Sequence, residues 1–136
     1  MNWLIAEDEA DIRNLVSMMC RAWGHTPLAF ESGQKAWDFL DTVEAGTYSG
    51  PLPEFALMDI RMPGKKGNEV ANRIRRVQAL AHIPVVLMTA FTLTDDERAA
   101  MMRSDGVDQI ISKPLPDFEK LHGILHDIIR EKSGGH

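Results

Sequence analysis

The stretch Phe55–Gly64, FALMDIRMPG, runs four apolar residues into a carboxylate, Asp59, and then turns through Met62, Pro63 and Gly64. A short apolar run ending in a charge and a turn reads as a buried strand whose last residue surfaces at the rim of a sheet. If other strands end the same way, that rim is a site.

Outward from this stretch the pattern repeats. Trp3–Ala6 is a short apolar run that meets Glu7, Asp8 and Glu9, after which Ile12, Leu15, Val16 and Met19 recur at helical spacing up to a capping Gly24. TPLAF (26–30) is a weaker strand, restricted by Pro27 to an edge or a strand start, and Ser32 offers the N-cap of a helix burying Ala36, Phe39, Leu40 and Val43. EAGTYSGPLPE (44–54) reads as a loop and is expected to be a surface insertion. Beyond the opening strand, Val70, Ile74 and Val77 mark a third helix, and IPVVLMT (83–89) is the most apolar strand, fit for burial on both faces. Thr94 and Glu97 match a capping box on a polar, loosely held helix with Ala99, Ala100 and Met101 as its weak apolar face. DQIIS (108–112) is a fifth strand, KPLP turns, and Phe118, Leu121, Leu125 and Ile128 line a last helix that frays into EKSGGH.

Five strand–helix pairs in alternation predict an α/β fold: a doubly wound five-stranded parallel sheet with helices on both faces. One domain over 1–131 and a flexible tail over 132–136 are expected, since 136 residues suit a single core. A net charge of -5, from 20 acidic and 15 basic side chains, disfavours direct nucleic-acid binding. The basic run Lys65, Lys66, Arg73, Arg75 and Arg76 reads as a solvated helix face. Cys20 is a small buried hydrophobe, and no apolar run has the length of a signal core or a membrane span, so a cytoplasmic protein is expected.

In such sheets ligands bind outside the carboxyl ends of the strands. There the sequence collects Glu7 and Asp8, Asp59, Thr89 and Lys113. Three carboxylates at close range repel one another unless a cation sits between them, and an all-oxygen donor set favours a hard ion, Mg²⁺ before calcium or zinc. A carboxylate beside Mg²⁺, a lysine and a hydroxyl has the parts to accept a phosphoryl group. Asp59 is the expected acceptor. Asp8 is expected to hold the metal directly and Glu7 directly or through water, while Lys113 and Thr89 hold the phosphoryl oxygens.

Glu7-Asp8 after the first strand, MDIRMPG around Asp59, MTA at Met88–Ala90 and KP at Lys113-Pro114 together resemble the receiver domains of two-component response regulators. The resemblance covers nearly the whole chain. It implies a flavodoxin-like strand order 2-1-3-4-5 and transfer of a phosphoryl group to Asp59 from a histidine kinase or histidine phosphotransfer protein. It also implies the Arg61 backbone carbonyl as a metal ligand, a small residue at Ala90 leaving room for the phosphoryl group, and a cis bond before Pro114. An output protein, unnamed by the sequence, is implied at the face of the fourth helix, fifth strand and fifth helix, where a homodimer is also possible. Such a protein catalyses its own phosphorylation and slow dephosphorylation without being a multiple-turnover enzyme. A Mg²⁺-dependent phosphatase of similar chemistry usually carries a second acid where Arg61 stands.

Two departures bear on the switch and on phosphate lifetime. The family's aromatic switch position is Ile110, which cannot report by a ring swing on any movement of Thr89. Arg61 and Phe91 flank the expected water path and lack a water-positioning acid or amide, so slow loss of phosphate is expected. His122 and His126, at i and i+4, are expected on an exposed helix face with no third metal ligand evident. Trp23 and Trp37 are expected to be packing residues. The alternative function is a receiver-like interaction module that works without phosphorylation.

Overall fold

Every second residue of the central strands points to the same face, and in this sequence both faces are apolar, so the sheet must be covered on both sides. A computed structural model describes residues 1–134. Its strands are β1 (Asn2–Ala6), β2 (Thr26–Phe30), β3 (Phe55–Asp59), β4 (Val85–Thr89) and β5 (Gln109–Ser112). Its helices are α1 (Ala10–Ala22), α2 (Gly33–Glu44), α3 (Gly67–Arg76), α4 (Asp95–Arg103) and α5 (Phe118–Gly134), with a single 3₁₀ turn at Gln78–Leu80. The five strands are parallel in the order β2-β1-β3-β4-β5.

Alternation along the strands divides the core. Leu4 and Ala6, Ala56 and Met58, and Val85 and Leu87 face α2 and α3, where Leu40, Val70 and Ile74 are buried. Trp3 and Ile5, Phe55 and Leu57, and Val86 and Met88 face the other way, onto Val16 and Cys20 of α1 and Leu121 and Leu125 of α5. Pro27 sits in edge strand β2, which pairs only with β1, so its missing N–H costs no ladder bond on the open side. Ser32 caps α2 by accepting the Lys35 N–H at 3.0 Å. Thr94 and Glu97 form the expected capping box, and α4 buries none of its residues.

Four expectations need correction. Leu15, assigned to the apolar stripe of α1, is half exposed, because Cys20 and Ser17 take the inward positions beside Val16 and Met19. The basic run is not a solvated face: Arg73 is buried and bonds Asp41 and Glu44 of α2 at 3.0 and 2.8 Å. The last helix continues through Lys132 to Gly134, and Lys132 reaches Asp108 at 3.0 Å, so the expected tail begins inside α5; Gly135 and His136 lie outside the described residues. His126 is half buried rather than on an open face, packed against Trp3 and Trp23.

Asp108 shows why the basic run turned inward. Its carboxylate accepts the Val85 N–H at 2.8 Å, the first residue of β4, and pairs with Arg75 at 3.0 Å. Arg75 in turn donates to the carbonyls of Ala81, Ile83 and Gly106. One acid and one arginine thus supply the polar groups of three chain turns. Removing the acid strands a strand N–H and a guanidinium together, whereas removing Lys132 breaks one half-exposed pair. Asp108→Ala is expected to lower stability by about 2–3 kcal/mol and Lys132→Ala by less than about 1 kcal/mol, read as shifts of the urea midpoint.

Candidate functional site

Parallel register carries the ends of the central strands to one rim. Ala6 lies beside Met58, Asp59 beside Met88, and Thr89 beside Ser112. The residues that follow are tied down by the same ladder: Ile60 N–H donates to Met88, and Lys113 N–H to Thr89, at 3.0 and 2.7 Å. The sharp turn after Asp59 is made by Gly64, at φ 80°, and by Gly67, where a Cβ would stand 2.2 Å from the Asp59 carbonyl oxygen. Gly67 therefore lets α3 begin directly behind the Asp59 backbone.

Glu7, Asp8 and Asp59 each offer a carboxylate oxygen within 4.8 Å of the others. Glu7 is fully buried, Asp59 is 7% exposed, and Asp8 is open to solvent. Lys113 reaches into the group, its Nζ 2.6 Å from Glu7 Oε1 and 3.4 Å from Asp59 Oδ1. The second Glu7 oxygen accepts the Glu9 N–H at 3.3 Å, and Arg13 clasps the Glu7 carbonyl at 2.8 Å. The peptide bond between Lys113 and Pro114 is cis.

Burial dominates the electrostatics. It pushes Glu7 up to about 7, against the pull of Lys113, and the Asp59 charge adds to the rise. Asp59 is also raised, first by burial, while Lys113 and a hydrogen bond from Glu7 oppose the rise. Burial disfavours the Lys113 ammonium, but the two carboxylates outweigh it and its pKa moves up. The cluster's own cation is Lys113, set against three carboxyl groups. The group is short of positive charge, and its donors are oxygens, the set that suits a hard divalent cation.

The other expected residues surround this group in different ways. Thr89 is buried, and its hydroxyl is engaged with the Phe91 backbone, accepting the N–H at 3.0 Å and donating to the carbonyl at 3.3 Å. Ala90 is exposed beside it. The Arg61 guanidinium lies 3.7 Å above the Phe91 ring centre, bridging the β3–α3 and β4–α4 loops across the rim. Ile110 is buried in the α3 side of the core, away from the surface.

Two contacts were not readable from sequence. The Glu7–Lys113 pair joins positions 106 residues apart. The Arg61–Phe91 stack joins two residues that the sequence places separately beside the water path, and it forms because the two loops come face to face.

A shallow apolar groove of about 470 Å³ borders the site. Ile12 and Leu15 of α1 form one wall, and Pro114, Leu115, Pro116 and Phe118 form the other, with Lys113 at its edge. Leu15 and Phe118 stand about half exposed beside it, at 50% and 46%.

The family model described as "Response regulator receiver domain" matches residues 3–126. A probable methanogenesis regulatory protein, FilR2 of Methanothrix harundinacea, is 40% identical over 96 residues, covering 71% of this chain and 59% of its own length. The polar-differentiation response regulator DivK of Brucella ovis is 31% identical over 112 residues, 82% of this chain and 83% of the relative. Among solved structures, a CheY-like receiver domain protein of Methanospirillum hungatei superposes with a TM-score of 0.79 at 17% identity, covering 99% and 98% of the two chains. The receiver domain of sensor histidine kinase PA1611 of Pseudomonas aeruginosa, which holds a magnesium ion in its active-site cleft, gives 0.75 at 23%, covering 94% and 96%. These solved structures share the fold, and the family model and the curated relatives carry the assignment: the chain belongs to the response regulator receiver domain family.

Proposed function

We propose that this receiver domain takes a phosphoryl group on Asp59 from the phosphohistidine of a histidine kinase or phosphotransfer protein, with Mg²⁺ bound, and passes the change to a partner protein. The observation that carries this reading is the meeting of Glu7, Asp8 and Asp59 within 4.8 Å around the reach of Lys113, at the open end of a sheet. In the transfer, an Asp59 carboxylate oxygen forms the new O–P bond as the donor's N–P bond breaks, and the departing imidazole takes up a proton. Asp8, Asp59 and the Arg61 carbonyl would hold the metal, with Glu7 bound directly or through water. When bound, Mg²⁺ supplies positive charge to the transferring oxygens.

Lys113 serves as the second cation. Breaking its 2.6 Å contact with Glu7 frees the ammonium for a phosphoryl oxygen, leaving Glu7 as a carboxylate that would face the bound metal. Thr89 gives up its bonds to the Phe91 backbone to reach the phosphoryl group, which releases the loop leading into α4. Since α4 buries no residue, this loop shift is cheap to pass on. The responding face is α4, β5 and α5, which meets an output protein or a second copy. Ile110, already buried, takes no part as a swinging reporter. The apolar groove between α1 and the loop after Lys113 gives a helical donor a dry place to dock within reach of Asp59.

Incubation with Mg²⁺ and a small acyl phosphate is expected to add one phosphoryl group by intact mass, absent in Asp59→Asn and without metal. A folded, Mg²⁺-binding chain that gains no mass under these conditions, and none from a phosphorylated histidine donor, would support the phosphorylation-independent module instead.

Arg61 and Phe91 form a lid over the approach that an attacking water would need. An exposed cation–π contact of this kind is worth about 0.5–1 kcal/mol. Phe91→Ala and Arg61→Ala are each expected to shorten the lifetime of the Asp59 phosphate by about two- to fivefold. Phosphate lifetimes unchanged or lengthened in both variants would remove the shielding role.

A further inference from the structure

Three histidines gather on the α1–α5 side of the sheet, at a place the phosphoryl chemistry does not use. His25 precedes β2, and His122 and His126 lie one turn apart on α5. His25 Nε2 stands 2.9 Å from His126 Nε2. Their ring centres are 5.1 Å apart with planes 26° from parallel, so the two nitrogens point almost directly at each other. The His122 ring stacks on His126 at 4.0 Å.

The tautomers follow from the outer contacts. His126 Nδ1 donates to the His122 carbonyl at 2.7 Å, which leaves the Nε2 lone pair of His126 facing His25. A backbone carbonyl holding the far nitrogen is the support that orients a metal-binding imidazole. His25 Nε2 carries the proton between the rings, and its Nδ1 accepts from the Met1 amino group at 3.2 Å. Burial holds both His25 and His126 below the usual histidine range, so both rings are neutral at pH 7. Trp3 stacks on His25 at 4.6 Å and Trp23 meets His126 edge-on at 5.7 Å, which walls the pair with aromatic rings.

We propose that His25, His126 and His122 form a binding site for one borderline divalent cation of the zinc, nickel or copper class, linking the start of β2 to the middle of α5. Imidazole donors select this class over the hard ion expected at the carboxylate rim. As the rings stand, the three do not close around one point, since among the described residues only Glu7, Asp8 and Asp59 form a three-residue group within 4.8 Å. Two imidazoles on a tetrahedral ion with bonds of about 2.0–2.1 Å lie about 3.4 Å apart. The His25–His126 rings, aimed at each other as they stand, therefore open by about half an ångström and tip toward a common vertex, and exposed His122 rotates in as the third ligand. The cation replaces the proton on His25 Nε2. That proton passes through solvent to His25 Nδ1, so the ring stays neutral and Nδ1 gives up the bond it accepts from the Met1 amine. Glu54, near His25, and Asp127, near His126, offset the neighbouring charges of Met1 and Arg130.

The test titrates untagged protein with Ni²⁺ at saturating Mg²⁺ and follows tryptophan fluorescence, with Trp3 and Trp23 beside the site as reporters. Saturable quenching at one ion per chain is expected, lost in His25→Ala and in His126→Ala, weakened in His122→Ala and retained in His82→Ala. Lowering the pH on wild type reads the same site without substitution, since protons compete with the cation for imidazole nitrogens, and the quench is expected to weaken as the pH falls. Quenching that never saturates, that survives in the His25/His126 double variant, or that Mg²⁺ displaces would overturn the proposal.

Discussion

Glu7 and Asp59 are carried to one rim by adjacent strands, and Lys113 reaches both from the end of a third. Two acids and one lysine, largely withdrawn from water, leave the rim with more negative charge than it can hold. Burial, with the Asp59 charge adding to it, pushes Glu7 up to about 7, so the rim disfavours the charged acid. The surrounding structure accommodates this group and does not neutralise it. Gly67 clears space behind Asp59, the strand ladder fixes Lys113, and Arg13 and Glu9 secure the Glu7 backbone and carboxylate. A site built this way is poised for added positive charge.

The fold was readable because its signals are local. Alternating apolar runs, the Ser32 cap and the Thr94–Glu97 box each depend on residues a few positions apart, and each appears as expected. Asp59, Thr89 and Lys113 could be singled out because a parallel sheet collects strand ends wherever they fall in the chain. Readings that failed depended on partners far along the chain. Arg73 and Arg75 look like surface charges until α2 and the chain before β5 supply Glu44, Asp41 and Asp108. Leu15 fits the stripe of α1, yet Cys20 and Ser17 are small enough to take the inward places.

His25 carried no sequence signal at all. It follows a capping glycine and becomes half of an imidazole pair only because β1 and β2 pair and α5 crosses beside them. The Arg61–Phe91 stack is of the same kind, a contact between two loops that the sheet brings together. In both places chemistry arises where separate elements end, and spacing along the chain does not encode it.

Charge frustration at the rim is most directly tested by thermal unfolding of metal-free wild type and Asp59→Asn at about pH 6 and about pH 8. Burial pushes Glu7 up to about 7 in the folded chain, above its unfolded value, so its contribution is full at low pH and fades as pH rises through that value. Asn at position 59 removes the neighbouring charge. Asp59→Asn is expected to unfold at a higher temperature than wild type, with the gap wider at the higher pH and narrowed by Mg²⁺. An Asp59→Asn variant less stable than metal-free wild type at both pH values would rule out charge frustration at the rim.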